Sequence, residues 1–222
     1  MKVGTDGVLL GAWCSLETSP NKILDIGSGT GLIALMLAQR SNAMRIDAVE
    51  IDENAYEQTV ENFEKSDWAD RLFCYHSSFQ NFTQEMKEED EKYDLIVSNP
   101  PFYTDTFQTN DSARNRARFS SALPFKTLLS GVADILFSSG RLVVIIPCKE
   151  EEKFISLALE FKLFLVRICK VKGTSTSDEK RSLLEFSFKE KKVKTQELVI
   201  ETSRHQYSKE YIELVKDFYI KM

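Results

Sequence analysis

Residues 22–31 read KILDIGSGTG, a short apolar run followed by three glycines at alternate positions. The run has the length of a buried strand, and the glycines permit a tight turn with positive backbone dihedral angles. The next segment, Leu32–Ala38, is apolar on nearly every side, as is typical of a helix packed on a sheet. Together they predict a strand, a glycine turn and a helix, the repeating unit of doubly wound α/β proteins.

Strand and helix patterns alternate through the following 120 or so residues. Further strands are predicted at Arg45–Ile51, Leu72–His76, Tyr93–Ser98 and Arg141–Ile146, and further helices at Glu53–Lys65, Pro124–Phe137 and Glu150–Glu160. Ser138-Ser139-Gly140 is predicted to cap the helix at Pro124–Phe137. Alternation of this kind predicts a mostly parallel sheet with helices on both faces.

The pattern changes near residue 160. Two strand-like arms, Leu163–Lys172 and Arg181–Lys189, flank the turn-rich segment Gly173–Asp178, which predicts an antiparallel pair. Ser208–Phe218 has the pattern of a closing amphipathic helix, with Ser208 as its N-cap. We therefore expect one α/β domain over residues 1–222.

Composition narrows the class of protein. Hydrophobic residues make up 42% of the chain and charged residues 28%, which is typical of a globular domain. No apolar run approaches the roughly 20 residues needed to span a bilayer, and the first residues lack the apolar stretch of a signal peptide. The four cysteines are scattered without a CxxC pair, and there are only two histidines. This pattern predicts a reducing, cytoplasmic location and no metal site.

Charge is unevenly distributed along a chain whose net charge is −5. Residues 1–101 carry 8 Lys and Arg against 18 Asp and Glu, whereas residues 102–222 carry 21 against 16. Between Lys162 and Lys194 there are 10 basic and 4 acidic side chains. A basic second half is compatible with local phosphate contacts, although a solvated lysine-rich hairpin accounts for the charge equally well.

The glycine spacing discriminates between two cofactor classes. The dinucleotide fingerprint G-x-G-x-x-G requires glycine where Leu32 stands, and the third glycine falls one position earlier. With an aspartate two residues ahead, the segment resembles motif I of S-adenosylmethionine-dependent methyltransferases. The resemblance implies that S-adenosylmethionine is bound by Asp25, Gly27, Ser28, Gly29 and Gly31.

Two further strand ends are candidates for the same cofactor. Glu50, at the end of the second strand, is placed to accept hydrogen bonds from both ribose hydroxyls, with Ile51 beside it. Ser78 and Phe79 follow the third strand, where this fold lines the adenine pocket. Many relatives carry aspartate where Ser78 stands, so this sequence departs from the usual adenine-binding residue. The Phe79 ring is expected either to pack on the face of the adenine or to belong to the core.

The tetrapeptide Asn99-Pro100-Pro101-Phe102 directly follows the fourth strand. It resembles the (Asn/Asp/Ser)-Pro-Pro-aromatic motif of methyltransferases acting on exocyclic or amide nitrogens, whose lone pair is delocalised. The Asn99 amide oxygen and the Pro100 carbonyl can accept hydrogen bonds from the NH2 group and align its nitrogen with the methyl donor. Phe102 offers a stacking face for a base turned out of its stack. We therefore expect Asn99, Pro100 and Phe102 to be catalytic, and Asn99 also to line the cofactor site.

The whole chain resembles the bacterial tRNA1(Val) adenine-N6 methyltransferases. The matching segments are residues 2–13 (KVGTDGVLLGAW), the glycine loop, the tetrapeptide, residues 207–211 (YSKEY) and residues 217–219 (DFY). The resemblance implies a class I methyltransferase fold, a seven-stranded sheet with a terminal antiparallel pair, and methylation of the adenine 3′ of the valine tRNA anticodon. Relatives usually carry a segment before the first motif, so we expect that a native leader is lacking. Thr5 and Asp6 are expected either to close over the cofactor or to cap a helix.

Contacts with the tRNA anticodon stem-loop are expected from basic residues near the substrate entrance, with salt-dependent affinity. The candidates are Arg114, Arg116 and Arg118 after the tetrapeptide, and Lys170, Lys172, Lys180 and Arg181 on the antiparallel pair. We expect a monomer or weak dimer.

Other functions remain open from the sequence. A protein glutamine-N5 methyltransferase uses the same tetrapeptide but normally carries a helical N-terminal domain, and only 24 residues precede Asp25. Another nucleic-acid amino-methyltransferase is a second alternative. A catalytically inactive, cofactor-binding RNA-interaction protein is the third, but it would have no chemical need for Asn99 and Phe102.

Overall fold

The computed structural model describes residues 4–100 and 123–220. Within them, nine strands form one sheet in the order β3-β2-β1-β4-β5-β7-β6-β8-β9. Neighbours from β3 to β5 are parallel, β7 runs antiparallel to both β5 and β6, and β8 is parallel to β6. The strands are β1 (Lys22–Ile26), β2 (Arg45–Glu50), β3 (Leu72–His76), β4 (Tyr93–Ser98), β5 (Leu136–Pro147), β6 (Phe164–Thr174), β7 (Glu179–Ser187), β8 (Lys194–Ser203) and β9 (Gln206–Tyr207).

Helices cover both faces of this sheet. They are α1 (Thr5–Trp13), α2 (Leu32–Arg40), α3 (Glu53–Glu64), α4 (Phe79–Glu88), α5 (Phe125–Ile135), α6 (Glu151–Glu160) and α7 (Lys209–Val215), with short 3-10 turns at Cys148–Glu150 and Lys216–Phe218. The longest described helix, α3, has 12 residues, which is fewer than a bilayer-spanning helix requires.

The strand sequences explain the two-sided core. Ile23 of β1 packs into the cluster formed with α1, α2 and α7, whereas Leu24 and Ile26 pack into the cluster formed with α4, α5 and α6. Successive side chains of a strand point to opposite faces, so a run without polar alternation is buried on both. This is the doubly wound α/β architecture predicted from the sequence, which is confirmed.

Several boundaries differ from the predictions. The helix predicted at Pro124–Phe137 ends at Ile135, and Ser138–Gly140 belongs to β5 instead of capping the helix. The predicted antiparallel arms are present as β6 and β7. Beyond the seven strands expected, β8 and β9 extend the sheet, because exposed polar side chains along β8 concealed its strand pattern.

The carboxyl ends of the parallel strands meet at one edge of the sheet, here called the carboxyl edge. Ile26 of β1 pairs with Val49 of β2 and with Ser98 of β4. Glu50 pairs with His76 of β3. The turns that follow these strands therefore lie side by side, which is where α/β sheets bind their ligands.

Gly31, the N-cap of α2, offers a test of this packing, because its backbone is in the left-handed region with φ +75°. A Cβ atom there would lie 2.5 Å from Phe63 Cε1 and 2.9 Å from Thr59 Cγ2. Gly31→Ala is expected to lower the free energy of unfolding in urea by roughly 2–4 kcal/mol, from backbone strain and overpacking together. Gly173→Ala, whose nearest contact would be an ordinary 3.6 Å, is the control and is expected to stay within about 1 kcal/mol of the parent. Equal stabilities would contradict this account of the turn.

Candidate active site

The glycine loop between β1 and α2 has one packed side and one open side. Gly27, Gly29 and Gly31 all adopt positive φ, between 61° and 75°. Space is open around Gly27, where an added Cβ would meet nothing within 4 Å, unlike the crowded position of Gly31. Such a loop lets a ligand approach the backbone closely at its open side.

Residues of α3 hold this loop from its packed side. The Thr59 hydroxyl donates to the Gly29 carbonyl at 2.9 Å, and the Asn62 amide donates to the Thr30 carbonyl at 2.9 Å. Sequence reasoning missed both residues. Thr59 and Asn62 are three residues apart and so lie on one face of a helix, which is the only sign of a shared role in the sequence. The sequence does not show that this face contacts the glycine loop.

Glu50 joins the glycine loop to the turn after β2. Its carboxylate is buried, with Oε2 accepting from the Gly29 amide at 2.8 Å and Oε1 accepting from the Ile51 and Asp52 amides at 2.8 and 2.9 Å. A carboxylate has about four lone-pair sites, and three are engaged here. Binding of both ribose hydroxyls, as predicted, therefore requires one backbone donor to be shared or displaced.

Asp25 lies fully buried beneath the same loop. Its Oδ2 accepts from the Ala34 amide at 3.2 Å, whereas Oδ1 has no hydrogen-bond partner. Burial raises the pKa of this carboxyl to about 7, with the nearby Glu50 adding to the increase and the Ala34 amide opposing it. A buried acceptor without a partner indicates that a donor is to be supplied. The ammonium group of S-adenosylmethionine fits this requirement, since it brings both a donor and a positive charge.

The raised pKa of Asp25 predicts pH-dependent cofactor binding. If the Asp25 carboxylate binds the ammonium group, protonation removes the charge that attracts it, so the affinity should fall by about tenfold per pH unit below pH 7. Calorimetric titration with S-adenosylmethionine from pH 5.5 to 8 measures this, and Asp25→Asn should flatten the profile. A parent affinity that is independent of pH would contradict the assignment.

The same pKa predicts how the free protein responds to pH. An unfolded aspartate ionises near 3.8, whereas Asp25 in the folded protein ionises near 7. The unfolded state therefore binds fewer protons between these values, and the contribution of Asp25 to stability is lost as the pH rises from about 4 through 7. Asp25→Asn should remove this component from the pH dependence of urea unfolding.

The end of β4 is joined directly to the glycine loop. The buried Ser98 hydroxyl donates to the Ile26 carbonyl at 2.9 Å, immediately before Gly27. Asn99, which is half-buried, and Pro100, which is buried, follow Ser98 at the carboxyl edge. Of the predicted catalytic residues, Phe102 lies outside the described residues, as do Arg114, Arg116 and Arg118.

The residues after β3 have structural partners. Ser78 caps α4 by accepting from the Asn81 amide at 3.2 Å. Phe79 is 6% exposed and packs in the core against α5, where a Cβ on Gly131 would lie 2.5 Å from its ring. The position of Phe79 therefore favours the core interpretation over adenine stacking. Ser28 is buried within the glycine loop.

The start of α1 lies beside the glycine loop. A Cβ atom added at Gly7 would lie 3.4 Å from Cδ2 of Leu32, the first residue of α2. The capping interpretation is wrong, because Gly4 is the N-cap and no side chain caps the helix. Thr5 is exposed in the first turn, and Asp6 forms an ion pair with Arg181 at 2.8 Å. A cofactor contact by Thr5 stays a prediction.

Most basic residues predicted on the antiparallel pair already have acidic partners. Lys170 pairs with Glu151 and Glu179, and Lys172 pairs with Glu197 at 2.7 Å. Lys180, by contrast, is exposed. The acidic partners lie on other elements, α6, β7 and β8, so counting charges along the chain could not reveal these ion pairs.

Comparisons with known proteins find methyltransferases both by sequence and by fold. The model of the methyltransferase small domain matches residues 9–162. Proteins named tRNA1(Val) (adenine(37)-N6)-methyltransferase from Christiangramia forsetii and Flavobacterium psychrophilum are 57% and 58% identical over the full chain, which covers 92% and 94% of their lengths. A solved structure described as a predicted O-methyltransferase from Agrobacterium tumefaciens superposes with a TM-score of 0.73 at 16% identity, over 96% of both chains. That likeness concerns the fold alone.

Proposed function

The chain belongs to the methyltransferase small-domain family and, within it, to the tRNA1(Val) (adenine(37)-N6)-methyltransferases, and on that premise we propose that it methylates an adenine of tRNA. The methyl group comes from S-adenosylmethionine and goes to N6 of the adenine 3′ of the valine tRNA anticodon. A tRNA substrate implies a cytoplasmic location. The described residues contain no cluster of three or more potential metal ligands.

One observation supports this function above the others, the junction of β1 and β4 at the carboxyl edge. The Ser98 hydroxyl bonds to the Ile26 carbonyl at 2.9 Å, so the glycine loop and the Asn99-Pro100 segment begin at adjacent backbone positions. A cofactor cradle and two hydrogen-bond acceptors therefore follow neighbouring strand ends. Transfer of a group between two bound molecules requires this kind of proximity.

The residues that would hold the cofactor surround the glycine loop. The Asp25 carboxylate would pair with its ammonium group, Glu50 would accept from its ribose, and Gly27 would allow close approach of the backbone. When bound, S-adenosylmethionine supplies an electrophilic methyl group on a sulfonium. Ile51, which is exposed beside Glu50, would contact the adenine.

Asn99 and Pro100 would act on the target amine. The Asn99 side-chain oxygen and the Pro100 carbonyl accept hydrogen bonds from its two N–H groups and keep the nitrogen in line with the methyl group. These bonds strengthen as positive charge develops on the nitrogen, so they favour the transition state over the ground state. The proton can leave after transfer, and a strong base is not required. Phe102 would stack on the base.

Methylation of fractionated unmodified tRNA with labelled S-adenosylmethionine tests the proposal. Nucleoside mass spectrometry should find N6-methyladenosine in valine tRNA, and a transcript with guanine in place of the target adenine should acquire no label. Label in a protein glutamine, in a guanine, or in no RNA at all would contradict the proposed function.

A further inference from the structure

Five lysines gather at the edge of the sheet opposite the carboxyl edge. This amino-edge lysine cluster consists of Lys162, Lys189, Lys191, Lys192 and Lys194. The strand register brings them together, because Phe164 at the start of β6 pairs with Ser187 at the end of β7, and Arg167 pairs with Lys194. The cluster is therefore a feature of the fold as well as of the sequence.

The cluster carries a net positive charge that no ion pair among the described residues neutralises. All five lysines are exposed, and within the described parts of the chain none has a carboxylate within ion-pair distance. Glu190 is the one acidic residue between positions 189 and 194. The buried Ser187 hydroxyl fixes the start of this segment by donating to the Lys189 carbonyl at 2.8 Å. Lysines of this kind are available for phosphate groups, unlike Lys170 and Lys172.

Strand β8 connects this cluster to the carboxyl edge. It is parallel to β6, so it begins at Lys194 and ends near Ser203 beside the turn at Thr174. The exposed Arg204 and His205 follow, and Tyr207 is 42% exposed. The strand has ten residues and spans about 30 Å at roughly 3.3 Å per residue.

The outer side of β8 is open along much of this length. Within the described residues, β9 pairs only with Glu201 and Ser203. Residues 194–197 are exposed, and the acidic one among them, Glu197, is paired with Lys172. The other acidic residue of β8, Glu201, is half-buried where β9 pairs with the strand. A polyanion lying along the strand would therefore meet the lysine cluster at one end and Arg204 at the other, with repulsion from Glu201 near the Arg204 end.

We propose that β8 carries the stem of the tRNA, with the amino-edge lysine cluster binding backbone phosphates about 30 Å from the reacting edge. This rests on the proposed function, which brings the anticodon loop to the carboxyl edge. A chain of net charge −5 would repel RNA as a whole, so binding needs a local basic surface. Lysine side chains are flexible, and their ammonium groups bind phosphates without distinguishing the base sequence. Such contacts suit the double-helical stem of a tRNA, which presents its phosphate backbone to the protein.

The test compares two RNAs and two triple variants. Lys191→Gln, Lys192→Gln and Lys194→Gln are combined in one protein, and binding is measured with full-length tRNA and with an isolated anticodon stem-loop. The triple variant should bind tRNA at least about tenfold more weakly, with a salt slope lower by about 2 to 3. Its affinity for the stem-loop, which is too short to reach the cluster, should change by less than twofold.

The control variant combines Lys65→Gln, Lys87→Gln and Lys126→Gln, which removes the same charge from three exposed lysines, one directly after α3, one on α4 and one on α5. It should bind both RNAs like the parent. Equal tRNA affinities for the two variants would overturn the proposal, and so would an equal loss for tRNA and stem-loop. A different result would contradict the proposed function, namely that the parent protein transfers no methyl group to tRNA.

Discussion

Replacement of Asn99 by alanine is expected to lower kcat by about 10²- to 10³-fold, the usual cost of losing one hydrogen-bond partner of a transition state. The half-buried Asn99 follows Ser98, whose hydroxyl joins β4 to the glycine loop. Its amide oxygen is the proposed acceptor for the target NH2 group. The bonds to the cofactor come from β1 and β2, so the Kd for S-adenosylmethionine should stay within about threefold of the parent. Single-turnover methylation of valine tRNA and calorimetric titration of the cofactor measure the two quantities.

Two further variants separate chemistry from folding. Asn99→Asp keeps an oxygen acceptor in the same place and should retain more activity than Asn99→Ala. Asn81→Ala changes an exposed asparagine on α4 and should leave turnover unchanged. If Asn99→Ala turns over tRNA at the parent rate, Asn99 has no part in the mechanism. If all three variants lose activity equally, the loss comes from misfolding.

The sequence predicts the parallel half of the sheet because the signals there are local. The apolar run before Gly27 and the helix after it are contiguous, and each later strand repeats the pattern. The candidate site follows from the same signals. Parallel strands end at one edge, so Glu50 and Asn99, both at strand ends, are brought to the glycine loop whatever the details of packing.

The parts that escaped prediction depend on partners distant in sequence. Asp6 and Arg181 are 175 residues apart, and only the fold shows that Arg181 is engaged. Phe79 occupies the core because α5 presents Gly131 to its ring, which no local pattern indicates. Strand β8 pairs with β9 only near its end, and along its first half it exposes polar side chains, as edge strands commonly do, so it lacks the apolar signature of the buried strands.

Glu50→Ala should have the second largest effect and should act on cofactor binding. The carboxylate is the proposed acceptor for a ribose hydroxyl and already holds the amides of Gly29, Ile51 and Asp52. Its loss removes a charged hydrogen bond to the cofactor and frees the loop. A hydrogen bond to a charged group contributes roughly 1.5–3 kcal/mol, so the Kd for S-adenosylmethionine should rise by about 100-fold. Unfolding in urea should show a loss of about 1–3 kcal/mol, since buried amides are left unpaired.

Glu50→Gln distinguishes the two roles of this side chain. Glutamine keeps one oxygen for the Ile51 and Asp52 amides, but its NH2 group cannot accept from Gly29 or from a ribose hydroxyl. Because only the Gly29 amide is left without an acceptor, the variant should lose less stability than Glu50→Ala and still bind the cofactor at least about tenfold more weakly. Glu53→Ala, an exposed glutamate three residues later, is the control for charge alone and should match the parent. If Glu50→Gln binds S-adenosylmethionine as tightly as the parent, Glu50 only organises the glycine loop, and the ribose must be held by other groups.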